Sequence, residues 1–137
     1  MTPAANHRPT TPHALLRHLS ALLTKAGQRG EPLVSSVNAQ LRLRYGVDNP
    51  IQIAVDAIKP VIKYYKSKIT RRFVPLALYP RNAEAMAMRW VIEQANGKSY
   101  IGGRPDIVRA LVDEFDSIIQ GTSTLYIKRF NTHRNPN

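Results

Sequence analysis

Between Ala57 and Ala83 the chain carries seven basic residues, Lys59, Lys63, Lys66, Lys68, Arg71, Arg72 and Arg81, and no acidic one. Like charges on neighbouring positions repel, so a protein surface ordinarily intersperses the two signs. A one-signed run therefore points to an external anion, and phosphate is the obvious candidate. Tyr64, Tyr65 and Phe73 stand among these cations, and their rings either join a core or stack on unpaired bases. The whole chain repeats the imbalance, with 20 Lys and Arg against 9 Asp and Glu in 137 residues, a formal charge of +11. A polyanionic partner relieves such self-repulsion, and nucleic acid and an anionic membrane surface are the two on offer.

A second basic group, Lys128, Arg129, His133 and Arg134, follows the last acidic residue, Asp116. It reads as a tail that orders itself on RNA, or as a merely solvated one. At the other end, the residues through Gly30 include Arg8, Arg17, Lys25 and Arg29 and no acid. That composition suits a mitochondrial targeting segment. The spacing of Leu15, Leu16, Leu19, Leu22 and Leu23 equally suits the first helix of the fold, the reading preferred here.

Signals for catalysis are weak. His7, His13, His18 and His133 lack the spacing of a triad or a metal site. Asp113, Glu114 and Asp116 would point to different sides of a helix and form its solvated face. Gly102 and Gly103 lack the flanking pattern of a nucleotide-binding loop. With no cysteine there is no thiolate nucleophile and no zinc site built on sulfur. The expectation is a non-enzymatic protein with no cofactor and no metal. No stretch approaches the roughly 18 consecutive apolar residues of a spanning helix, so no membrane insertion is expected.

The elements that must position the cations follow from a recurring device, a proline at the first helical position followed by apolar residues at helical spacing. Thr11 and Pro12 open a helix that closes at Gly27. Pro32 opens a second, with Leu33, Val34, Val37, Leu41 and Tyr45 inside and Gly46 as a left-handed cap, although Val37, Ala39, Leu41, Leu43 and Tyr45 also alternate as in a strand. Asn49 and Pro50 start a short third helix that Pro60 ends. From Val61 to Tyr79, β-branched and aromatic residues among basic ones predict a hairpin, with Pro75 on an edge. Pro80 begins the expected central helix, whose face includes Ala83, Met86, Ala87, Trp90, Val91 and Gln94. After Gly97, Gly102 and Gly103, Pro105 and Asp106 start a helix with the stripe Ile107, Leu111, Phe115, Ile118 and Ile119, stopped by Gly121. What remains is expected to be basic and irregular. The organisation is one mainly α domain over residues 1–137, a helical bundle carrying an extended basic β-hairpin arm at 61–79, with tails at 1–10 and 131–137 that are flexible or ordered by RNA.

Ala57-Ile58-Lys59-Pro60-Val61, the hairpin ending Phe73-Val74-Pro75, Tyr79-Pro80-Arg81 and Ala87-Met88-Arg89-Trp90-Val91 together resemble the small-subunit ribosomal protein S-seven family in its mitochondrial form. Tyr126 to Arg134 resembles the family's basic segment before its final helix, so the likeness runs from Leu15 to Arg134. It implies the S-seven fold and binding to the three-prime major domain of small-subunit ribosomal RNA. It also implies organisation of the subunit head, with neighbouring head proteins as partners and messenger and exit-site transfer RNA close by. Carried over by position, Lys25, Arg29, Lys59, Lys63, Lys66, Lys68, Arg71, Arg72, Arg81, Lys128, Arg129 and Arg134 would contact RNA, while Arg89 packs or pairs internally. Two departures stand out. The tip Ser67-Lys68-Ile69-Thr70-Arg71-Arg72 has no turn glycine and is about two residues shorter. Phe130-Asn131 replaces an expected acidic pair, and the family's final helix would lie beyond Asn137. The implied location is the mitochondrial matrix, with plastid and bacterial cytoplasm as alternatives. The rival function is an architectural DNA- or RNA-binding protein outside the ribosome.

Overall fold

The computed structural model describes residues 12–97 and 106–136. The expected tail at 1–10, the opening Thr11 and the loop residues Gly102, Gly103 and Pro105 lie outside them. In chain order the elements are α1 (Pro12–Lys25), α2 (Gly30–Tyr45), α3 (Pro50–Ile58), β1 (Ile62–Lys66), β2 (Phe73–Ala77), α4 (Pro80–Asn96), α5 (Ile107–Gln120) and α6 (Leu125–His133). The described chain is mainly helical and carries one two-stranded antiparallel sheet. No helix among the described residues is long and apolar enough to cross a membrane.

Residues at helical spacing close the core. Leu15, Leu19 and Leu23 of α1 are fully buried and meet Val34, Val37 and Leu41 of α2, Ile51, Ala54, Val55 and Ile58 of α3, and Phe115 and Ile118 of α5 in one cluster. The strand alternative for α2 fails because Ala39 and Leu43, which it would bury with Val37 and Leu41, are exposed. α2 begins two residues before Pro32. A proline in the first turn lacks only an N–H that would have no intrahelical partner there. The early start presses Gly30 onto α1, where an added Cβ would lie 2.0 Å from the backbone oxygen of Ser20.

α4 buries Ala87, Met88, Trp90, Val91 and Ala95, but it is not the sole centre of the bundle. α5 packs on α2, α3 and α4 alike. Gln94, expected on the inward face of α4, is exposed, and its amide donates to Thr124 Oγ1 at 2.9 Å. Asp106 caps α5, accepting from the backbone N–H groups of Val108 and Arg109. Asn49 stands at the cap position of α3 but makes no capping bond with its side chain.

The expected irregular C-terminal segment is a helix. α6 buries Leu125, its Tyr126 hydroxyl donates to the Ile118 carbonyl at 2.6 Å, and Ser123 Oγ accepts the N–H of Leu125 at 3.1 Å. Residues 131–133 therefore belong to an ordered helix rather than to a tail. The acidic face expected on α5 is corrected too. Glu114 is buried, and Asp116 is half-buried, accepting from the Tyr45 hydroxyl and pairing with Arg44 at 3.3 Å.

Candidate nucleic-acid interface

The ribbon forms where its sequence favours pleated backbone. Ile62 pairs with Ala77, Tyr64 with Pro75, Tyr65 with Val74 and Lys66 with Phe73, and a further bond from Leu78 N to Val61 O at 2.9 Å lengthens the ladder. Pro75 is tolerated because each strand of a two-stranded sheet has one edge without a ladder partner.

The tip turns without glycine by two local devices. Ser67 Oγ accepts the N–H groups of Ile69 and Thr70, both at 3.3 Å, holding the first half of the turn. Arg71 then adopts a left-handed conformation at φ 58° and donates its N–H to Ser67 O at 2.9 Å. An L-residue pays about 1 kcal/mol or more for that backbone, so an arginine rather than a glycine stands there at a cost.

Lys63, Lys66, Lys68, Arg71 and Arg72 are all exposed, and none forms an ion pair with a carboxylate among the described residues. No acid lies between Val61 and Tyr79 to supply one. These five cations stand together on the one ribbon.

Three of the residues expected to contact RNA also make contacts within the protein. Lys59, at the base of the ribbon, pairs with Asp56 at 3.0 Å. Asp56 also accepts from Gln52, whose amide reaches the buried Glu84 at 3.2 Å, so Lys59 closes a polar chain running into the α3–α4 interface. Lys128 pairs with Glu93 at 3.3 Å and sits 5.6 Å from the centre of the Trp90 ring. Arg129 donates its Nε–H to the Lys59 carbonyl at 3.1 Å. That bond, with the N–H of Val61 donating to His133 Nε2 at 2.8 Å, clasps α6 to the root of the ribbon. Arg129 and His133 thus tie α6 to the root of the arm, Lys128 ties it to α4, and Arg134 emerges exposed just beyond them.

His133 accepts through Nε2 and is therefore neutral, and burial, then Arg129, lowers its pKa below the usual histidine range. His18 is lowered likewise, by burial first and then by Arg81, with Arg89 and Lys25 adding and Glu84 opposing. No group of three or more His, Cys, Asp and Glu side chains among the described residues is arranged to hold a metal ion.

The other expected cations lie on the bundle, and the groove among them also carries the acidic Glu93. Lys25 of α1 and Arg89 of α4 line an open groove of about 420 Å³ floored by Leu22 and Ile92. Arg29, in the turn before α2, and Arg81, in the first turn of α4, are exposed. Arg89 departs from the expectation that it packs or pairs internally: it is exposed and reaches no carboxylate among the described residues. Its sequence signal was its place on α4 across from the buried Ala87 and Val91.

Neither a protein-family model nor a curated protein sequence matches the chain.

Proposed function

We propose that this protein is a structural RNA-binding component of the small ribosomal subunit, of the S-seven type and acting in the mitochondrial matrix. One observation carries the reading: Lys63, Lys66, Lys68, Arg71 and Arg72 stand exposed on one ribbon with no carboxylate among the described residues to neutralise them. Folded RNA supplies phosphates in a dense array, and release of its condensed counterions favours such a cationic edge. Lys25, Arg29, Arg81 and Arg134 extend the contact to the bundle, and the sequence likeness directs it to the three-prime major domain of small-subunit ribosomal RNA. The work is architectural, with no catalytic step: the arm and the bundle hold the head of the subunit together beside neighbouring proteins, near messenger and exit-site transfer RNA.

A membrane surface is a poorer match for the same charge. Binding there wants a basic helix with a large apolar face opposite the cations, whereas these cations stand on a narrow ribbon. The test is sedimentation of the tagged protein from organellar and whole-cell extracts. Co-migration with small subunits, lost after ribonuclease treatment, is expected. A protein that stays at the top of the gradient, or that prefers duplex DNA to structured RNA in competition, overturns the reading in favour of an architectural protein outside the ribosome.

A further inference from the structure

The register of the ribbon separates its three aromatic residues. Directly opposed residues of an antiparallel pair share a face, and faces alternate along each strand. Tyr64, Phe73 and Pro75 therefore lie together on one face, where Tyr64 is set directly across from Pro75 with Phe73 on the diagonal, and both rings are half-buried. Tyr65 lies on the other face, across from Val74 and 45% exposed. Its hydroxyl makes no hydrogen bond among the described residues.

The neighbours on that second face are cationic. Lys63 precedes Tyr65 by two residues, roughly 6.6 Å along the strand. Arg72, at the bend just before β2, precedes the opposing Val74 by two residues on the tip side. Tyr65 is thus paired across the ribbon with Val74, with a positive residue toward either end, and Leu76, 45% exposed, adds apolar surface.

We propose that Tyr65 is a stacking platform for an unpaired base, with Lys63 and Arg72 holding the phosphates on either side of it; this rests on the RNA-binding reading above. Paired bases present only their edges in a groove, whereas an unstacked base offers a flat face to a ring lying open on a ribbon. Stacking on an aromatic side chain tolerates any base, so the ligand class is a bulged or looped nucleotide flanked by structured RNA. An arm with this face selects for the irregularity in the RNA, while Lys66, Lys68 and Arg71 supply charge without such selection.

The test uses the full chain and two labelled RNAs in fluorescence anisotropy: a blunt duplex, and the same stem closed by an unpaired loop. Tyr65→Ile, which keeps a strand-forming residue, should lower affinity for the looped RNA by about 5- to 150-fold and leave duplex affinity unchanged. Tyr65→Phe should bind as the wild type does. A double Lys63→Ala, Arg72→Ala variant should weaken both RNAs. In the unaltered protein, removing the bases of the loop one at a time should locate the whole stacking effect at one or two positions, a readout independent of the folding of any variant. Equal affinity of Tyr65→Ile and wild type for the looped RNA, or indifference to every abasic position, overturns the stacking assignment and leaves the ribbon to phosphate contacts alone. A wild-type protein that binds neither RNA overturns the RNA-binding reading itself.

Discussion

Replacing Lys66, Lys68, Arg71 and Arg72 together with alanine removes four of the five unpaired ribbon cations and leaves Lys63. On duplex RNA-like polyanions each neutralised phosphate contributes a slope of about −0.9 to the dependence of log K on log salt. The ribbon as a whole then contributes a slope of about −4.5, and the variant's ribbon about −0.9, if each cation meets one phosphate. Between 50 and 200 mM salt the ribbon's contribution falls by about 500-fold in the wild type and by only about 3- to 4-fold in the variant. Lys25, Arg29, Arg81, Arg89 and Arg134 add a contribution common to both proteins, so the difference between the two slopes isolates the ribbon. The assay is anisotropy titration of a structured small-subunit RNA fragment at several potassium chloride concentrations. The four side chains are exposed and make no ion pairs among the described residues, so the fold should hold and the melting temperature should change little. A slope difference below about 1 would refute the reasoning, because it would mean that fewer than two of the four cations meet a phosphate.

The packing makes further predictions. Gly30→Ala sets a methyl group 2.0 Å from the Ser20 carbonyl oxygen and must push α2 off α1; a loss of about 1 to 3 kcal/mol is expected in urea denaturation. Trp90→Ala empties a site that is 8% exposed and removes the ring beneath Lys128; about 3 to 5 kcal/mol should be lost, and wild-type melting would place the indole outside the core. His18 and His133 both have folded-state pKa values below the unfolded value, so they contribute stability that is present above about pH 6.5 and lost as pH falls through their folded-state values. Melting temperature should therefore fall from about pH 7.5 to about pH 5.5. The paired substitution His18→Gln, His133→Gln should flatten that dependence, and an unchanged slope in this variant would show that neither histidine carries it.

Some features were set locally and could be read from the chain alone. Helices α1, α3, α4 and α5 follow from a proline or aspartate at the start, a glycine or proline at the end, and an apolar stripe between, all within a few residues of one another. The ribbon follows from Ile62, Tyr64, Phe73 and Val74 in a pleated pattern, and its positive edge from the lack of any acid between Val61 and Tyr79. Other features depended on partners distant in sequence. α6 has one buried residue, Leu125, and no proline start; its only local signal was Ser123, and the Ile118 carbonyl, Lys59 carbonyl and Val61 N–H that anchor it arise elsewhere in the chain. Lys128 looks as free in the sequence as Lys66 does, yet Glu93, 35 residues away, pairs with it; the partner of Lys59, Asp56, stands only three residues before it and lay within reach of a local reading. Composition and periodicity decide which residues are cationic and which faces are apolar, because those depend on side-chain type and on backbone geometry over a turn or two. Which cations remain unpaired, and which tyrosine faces outward, depends on the folding together of α3, α4, α6 and the ribbon, because ion pairing and exposure are set by distances across the tertiary structure.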